Sequence, residues 1–181
     1  IRLNPNTDAK TLSQISTGKK ENKFGVDEKT FFELINYVKE SKNINLKCLS
    51  VHIGSQILDY KPYKKMLKVL DKVIKRSAYK FEFIDLGGGM GISYENNNKK
   101  LNYSKYNMAI KKFLKNNKSK IIFEPGRSIV ANTGSLISKV IYIKENDKKD
   151  FIILDAAMND LMRPALYGAN HRTLPLLKTN K

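Results

Sequence analysis

From Ile1 to Glu124 the chain repeats one pattern: a short apolar run, a stretch with helical spacing, then another apolar run. The runs are IRLNP, INLKCLSVHIG, YKFEFIDLGGG and SKIIFEPG. Between the first two, DEKTFFELINYVKESKN sets Phe31, Leu34, Ile35 and Val38 on one helical face, with Asp27 as its N-cap. DYKPYKKMLKVLDKVIKRS does the same with Tyr63, Met66, Leu67, Leu70, Val73 and Ile74, and Pro62 suits a first turn. YSKYNMAIKKFLKNN turns Ile110, Phe113 and Leu114 inward. Strands joined through helices must run parallel, so the expected class is α/β. Lys120–Phe123 reads as a buried strand of that sheet.

The pattern changes after Gly134. SLISKVIYIKENDKKDFIILDAAMND reads as two strands joined by a charged turn, a β-hairpin that would open a second, β-rich domain near residue 130. GANHRTLPLLKTNK carries no assignable pattern. Upstream, NTDAKTLSQISTGKKENKFGV is a polar loop of a length that often serves function. The chain opens at Ile1 inside a strand-like run, which suggests a fragment. No signal peptide is visible, and no apolar run approaches the ~20 residues of a membrane helix. The single cysteine, Cys48, reads as a small buried core residue and suits a reducing cytoplasm.

A net charge of +17 invites a nucleic-acid reading. The distribution argues against it. Only five of the positive residues are arginines (Arg2, Arg76, Arg127, Arg163 and Arg172), and the lysines are spread along the chain among Asn and Ile. A nucleic-acid surface would gather arginine and aromatic residues in one place.

Chemistry gathers at the ends of the apolar runs. Gly54, Ser55 and Gln56 follow one; Gly87, Gly88, Gly89 and Gly91 follow the next; Glu124, Pro125, Gly126 and Arg127 follow the last. In parallel α/β folds, strand C-terminal ends form the functional face, so these residues should converge on one pocket. Each has two readings. The glycines either cradle an anion with backbone N–H groups or make a tight turn against a neighbour. GGGMG fits neither the dinucleotide fingerprint nor the P-loop. His52 is either a core residue or a flat ring lying against a flat cofactor. With His171 the only other histidine and no carboxylate at ligand spacing, no metal site is expected. Glu124 either pairs with Arg127 or a lysine, or aims at a protonated ring nitrogen. Arg127 offers a planar fork for phosphate or carboxylate. Glycine cradle, stacking His and ring-nitrogen carboxylate together describe a site for pyridoxal 5'-phosphate.

The segments RLNPNTDAKTLSQISTGKKENKFGV, HIGSQI, DLGGGMGISY, EPGRSIVANTG and LDAAMNDLMRPALYGANH carry a more specific likeness. In this order they resemble the diaminopimelate decarboxylase family, barrel-type pyridoxal-phosphate decarboxylases that share a fold with alanine racemase. The resemblance implies the C-terminal part of a (β/α)8 barrel, about strands five to eight, over residues 1–132. Residues 133–181 would start a β-rich C-terminal domain. It implies decarboxylation of meso-2,6-diaminopimelate to L-lysine and CO2 by a cytoplasmic homodimer with shared active sites. Gly88, Gly89 and Ser55 would bind the cofactor phosphate. Glu124, Pro125, Gly126 and Arg127 would line the cofactor, Glu124 holding the pyridinium proton, and His52 would stack on the ring. Arg127, Arg163 and Tyr167 would bind substrate carboxylates. The family's Schiff-base lysine and acid cysteine would fall outside this chain, leaving no catalytic residue within it. Leu12 and Gln14 stand where the family often has His and Tyr.

Two other readings share some of these features. A sibling enzyme of the ornithine, arginine or carboxynorspermidine type would share the glycines and the Glu-Pro-Gly-Arg run, but has no need of Arg163 and Tyr167. A non-catalytic pyridoxal-phosphate barrel protein would lack the hairpin after Gly134.

Overall fold

A computed structural model describes residues 1–9, 17–18, 23–94 and 99–177. Leu12 and Gln14 lie outside the described residues. The chain forms two compact units: residues 1–92 with 99–131, and residues 93–98 with 132–181.

In the first unit, helices α1 (Glu28–Glu40), α2 (Tyr60–Ser77) and α3 (Tyr103–Asn116) alternate with strands β1 (Cys48–Ser50), β2 (Phe83–Asp85) and β3 (Lys120–Ile122). The strands form one parallel sheet in the order β1-β2-β3. Each helix starts on a capping side chain. Asp27 accepts from the Thr30 N–H, Asp59 from Lys61 and Asn102 from Lys105. The chain leaves α2 through Ala78 in a left-handed conformation, φ 48°. A short helix, α4 (Arg127–Val130), follows β3.

Burial alternates along the sheet. Leu49, Val51, Ile53, Ile84 and Leu86 are buried in the core, while Cys48, Ser50, His52, Phe83 and Asp85 are half-buried. The buried row shares that core with Phe31 and Ile35 of α1 and Met66 and Leu70 of α2. Each such side chain contributes roughly 1.5–3 kcal/mol by leaving water. Cys48, expected in the core, therefore lies on the half-buried row.

Two strands differ from expectation. IRLNP does not form a full strand. Arg2 bridges Ser50 and Leu3 bridges Val26, both in parallel sense. The Asn4 N–H to Val26 C=O bond belongs to the second bridge, and the pairing with the β1 segment stops there because Pro5, next in line to donate on that side, has no N–H to give. Lys120–Phe123 is not buried: Ile122 is 39% exposed and Phe123 42%. β3 is an end strand of this sheet; Ile121 packs against the core, and the Phe123 ring meets that of Tyr106 edge-on.

The second unit contains the antiparallel hairpin β4 (Val140–Lys144) and β5 (Phe151–Leu154), then helix α5 (Arg163–Tyr167). The Asp155 carboxylate closes the open end of the hairpin by accepting from the Ser138 hydroxyl and the Lys139 N–H, both at 2.8 Å. Both strands are exposed along their whole length. Among the described residues, no helix is long and apolar enough to cross a membrane.

Candidate functional site

The three strand ends do meet, because the sheet's hydrogen-bond ladder continues past the strands. Glu124 N–H donates to Gly87 C=O at 2.9 Å, Ile57 N–H to Gly89 C=O at 2.9 Å, and Gly91 N–H to Ile57 C=O at 3.1 Å. The segments after β1, β2 and β3 are therefore backbone-linked neighbours. Pro125 then ends the ladder by supplying no N–H, and Gly126 serves as N-cap of α4.

The glycines are required by close approach. A Cβ on Gly88 would run into the Glu124 carbonyl oxygen, and one on Gly89 into the Gly54 carbonyl oxygen. At Gly87 it would come within 2.6 Å of the Val51 oxygen and 2.7 Å of His52 Nδ1. Gly87 and Gly89 also have φ of +65° and +87°, which L side chains rarely adopt. The tight-turn reading thus holds, and the anion reading survives beside it. Gly87 N–H donates to the Asp85 carboxylate at 2.8 Å and Gly88 N–H to His52 Nδ1 at 3.2 Å. Among the described residues the Gly89 N–H has no acceptor.

His52 is half-buried at the end of the β1 segment. Because Nδ1 accepts the Gly88 N–H, the neutral ring carries its proton on Nε2. Burial, then the charge of Arg2, lower its pKa from 6.5, against the weaker pull of Glu124 and Asp85. A histidine with a depressed native pKa binds fewer protons folded than unfolded. Its contribution to stability is complete above about pH 6.5 and is lost as pH falls from there through the native pKa. Urea midpoints at about pH 7.5 and pH 5 should therefore fall less on acidification in His52→Gln than in the unaltered protein. Equal falls would remove His52 as the source.

Glu124 and Pro125 are exposed, with Gly126, at the end of the β3 segment. Arg127 is half-buried, and its Nη1 donates to Gln56 Oε1 at 3.2 Å. Ser55 is half-buried in the turn after β1. Arg163 and Tyr167 lie together in the second unit, one helical turn apart on α5, with the guanidinium 5.5 Å from the ring centroid.

Sequence reasoning names two further residues without giving them a role in the site. Gln56 sits at φ +61°, unusual for a residue other than glycine. Its Oε1 accepts from Ile92 N–H at 3.2 Å as well as from Arg127, and its Nε2 donates to Ile92 C=O at 2.6 Å. One side chain thus ties together the segments after all three strands. Tyr63 reads in the sequence as an apolar position of α2, yet its hydroxyl donates to Gly88 C=O at 3.0 Å. Its polar partner lies on another element, and helical spacing carries no trace of that.

These residues suit an anionic, flat, basic ring system: an unused glycine N–H, a neutral imidazole, a carboxylate and a guanidinium along one sheet edge. Comparison with known proteins agrees. Residues 1–131 match the family model "Pyridoxal-dependent decarboxylase, pyridoxal binding domain". A diaminopimelate decarboxylase of Aquifex aeolicus is 40% identical over 97% of this chain and 43% of its own length. One of Helicobacter pylori strain J99 is 45% identical over 94% of this chain and 43% of its own. A crystal structure of the H. pylori enzyme complexed with L-lysine superposes with a TM-score of 0.88 at 44% identity, covering 95% of this chain and 44% of that one. The chain thus spans less than half the length of these relatives. With residues 1–131 matched by that family model, from Ile1 through the last strand of the parallel sheet, the chain belongs to the pyridoxal-dependent decarboxylases.

Proposed function

We propose that this protein is a diaminopimelate decarboxylase, converting meso-2,6-diaminopimelate to L-lysine and CO2. The observation that carries the reading is the likeness, across 95% of the chain, to an enzyme of that name solved with L-lysine. Residues 1–132 are then about strands five to eight of a (β/α)8 barrel, and residues 133–181 begin the β-rich domain. The working enzyme is a cytoplasmic homodimer with shared active sites, acting on a small molecule rather than on nucleic acid or a membrane.

Pyridoxal phosphate, when bound, supplies a ring that accepts the electron pair left behind by CO2. The residues of this chain hold and tune it. Gly88, Gly89 and Ser55 form the phosphate cradle, and the unused Gly89 N–H supports that role. His52, kept neutral by burial and by its bond from Gly88, offers a flat face to the ring without adding a positive charge. Glu124 holds a proton on the ring nitrogen, and Pro125 and Gly126 line the same edge. Arg127, oriented by Gln56, receives a substrate carboxylate. Arg163, beside Tyr167, receives a carboxylate as well. A cation given to a second carboxylate favours a substrate that carries one, and ornithine does not.

The purified full-length enzyme with pyridoxal phosphate should release L-lysine from meso-diaminopimelate faster than it decarboxylates ornithine or arginine. The reverse order would place it among the sibling enzymes. Arg163→Ala should cost roughly 1.5–3 kcal/mol of substrate binding. That is about a 10- to 150-fold rise in KM, with the cofactor absorbance unchanged. Equal loss of cofactor and substrate would mark Arg163 as structural.

A further inference from the structure

Gly88 is held at both ends of its backbone. Its N–H donates to His52 Nδ1 at 3.2 Å, and its C=O accepts from Tyr63 Oη at 3.0 Å. A trans peptide points its C=O and the following N–H in opposite directions. With the Gly88 carbonyl held toward α2, the Gly89 N–H is aimed away from α2. The linkage joins two glycines, and without Cβ atoms such a peptide turns over readily. Something must hold it, and Tyr63 is placed to do so. Its side chain is fully buried, and its ring stacks on Tyr106 with centroids 4.4 Å apart and planes at 27°. Burial raises its pKa far above the ordinary tyrosine value, so the hydroxyl keeps its proton and remains a donor.

We propose that Tyr63 is a positioning residue that fixes the Gly88–Gly89 peptide and so aims the Gly89 N–H at an anionic group on the site side of the sheet. In the reading above, that group is the cofactor phosphate, and the inference rests on that reading. Tyr63 touches neither cofactor nor substrate. It acts through one carbonyl, from the helix side.

The test uses the full-length protein and two ligands that differ only in the phosphate, pyridoxal phosphate and pyridoxal. Tyr63→Phe keeps the ring and removes the hydroxyl. The dissociation constant of pyridoxal phosphate should rise about 5- to 10-fold, the size of one lost hydrogen bond, while that of pyridoxal stays within about twofold. Tyr106→Phe removes a buried hydroxyl that has no partner among the described residues, and should change neither constant. Equal weakening of both ligands in Tyr63→Phe, or no change in either, overturns the proposal. So does a phosphate-selective loss in Tyr106→Phe, which would assign the effect to the stacked pair. If the unaltered protein binds pyridoxal as tightly as pyridoxal phosphate, the phosphate cradle itself is wrong. If it prefers the phosphate and Tyr63→Phe keeps that preference, only the role of Tyr63 is wrong. A measurement without any variant guards against misfolding. Inorganic phosphate added to the cofactor-free protein should move the Gly89 amide proton downfield, and an unmoved amide overturns the assignment.

Discussion

Gly89→Ala should destabilise the protein by about 3–4 kcal/mol. Two costs add at this position. The new Cβ would run into the Gly54 carbonyl oxygen, and a backbone at φ +87° is strained for any L side chain. Neither can relax alone, because the Gly89 carbonyl is bonded to the Ile57 N–H at 2.9 Å and Gly91 pairs with Ile57 in return. Movement at Gly89 therefore opens the junction between the β1 and β2 segments. Gly134→Ala is the matched control. A Cβ there meets nothing within 4 Å and the residue is exposed, so the change should stay within about 0.5 kcal/mol. Urea unfolding of both variants in the full-length protein measures the contrast. A loss below about 1 kcal/mol at Gly89 would mean that the close approach is not a fixed feature of the fold.

Glu124→Gln should lower kcat by about 100- to 1,000-fold while pyridoxal phosphate stays bound. Glutamine matches glutamate in shape and hydrogen-bonding reach but carries no negative charge, so it cannot hold a proton on a ring nitrogen. The exchange should leave the fold intact. Glu124 is exposed, and its tie to the sheet is a backbone bond, from its N–H to the Gly87 carbonyl. In the role proposed for it, the carboxylate acts where electron density gathers during reaction, so the loss should fall on kcat. If Glu124→Gln kept kcat within about threefold, Glu124 would be a lining residue only, and the proton on the ring nitrogen would need another source.

The parallel part of the fold is written locally, and that is why it can be read. Asp27 caps α1, Pro62 lies in the first turn of α2, and the apolar spacing of Phe31, Ile35 and Val38 marks the face that is buried. The hairpin is equally local, since its two apolar runs flank a short charged turn. The misreadings concern what lies beyond a segment. Ile122 and Phe123 state that a strand is apolar, but not whether another element covers it. Pro5 stops the first run, though its neighbours Ile1 and Leu3 suit a strand. In the site, His52, Glu124 and Arg127 stand out because polar groups at the ends of apolar runs are unusual. Gln56 shares that position but its linking role is not legible there, and Tyr63 reads only as part of a helix face. Gln56 matters through a left-handed backbone angle and Tyr63 through a carbonyl 25 residues away, and neither property belongs to the residue type.

The fit of Gly88 against Glu124 also selects among ways of assembling the sheet. Side chains alternate with a period of two, so sliding β2 by one residue would exchange its buried and half-buried rows, at the expense of Ile84 and Leu86. Sliding it by two keeps both rows on their proper sides; one direction would carry Glu82 into the buried place of Ile84, but in the other the hydrophobic pattern alone does not forbid it. The glycine does. Such a slide puts Leu86 in the place of Gly88 in one direction and Met90 in the other, and a Cβ at that place meets the Glu124 carbonyl oxygen. The triplet therefore works as a key cut for one alignment of β2 on β3. A chain that mispairs by two residues cannot close the ladder beyond the strands, and remains free to separate and pair again.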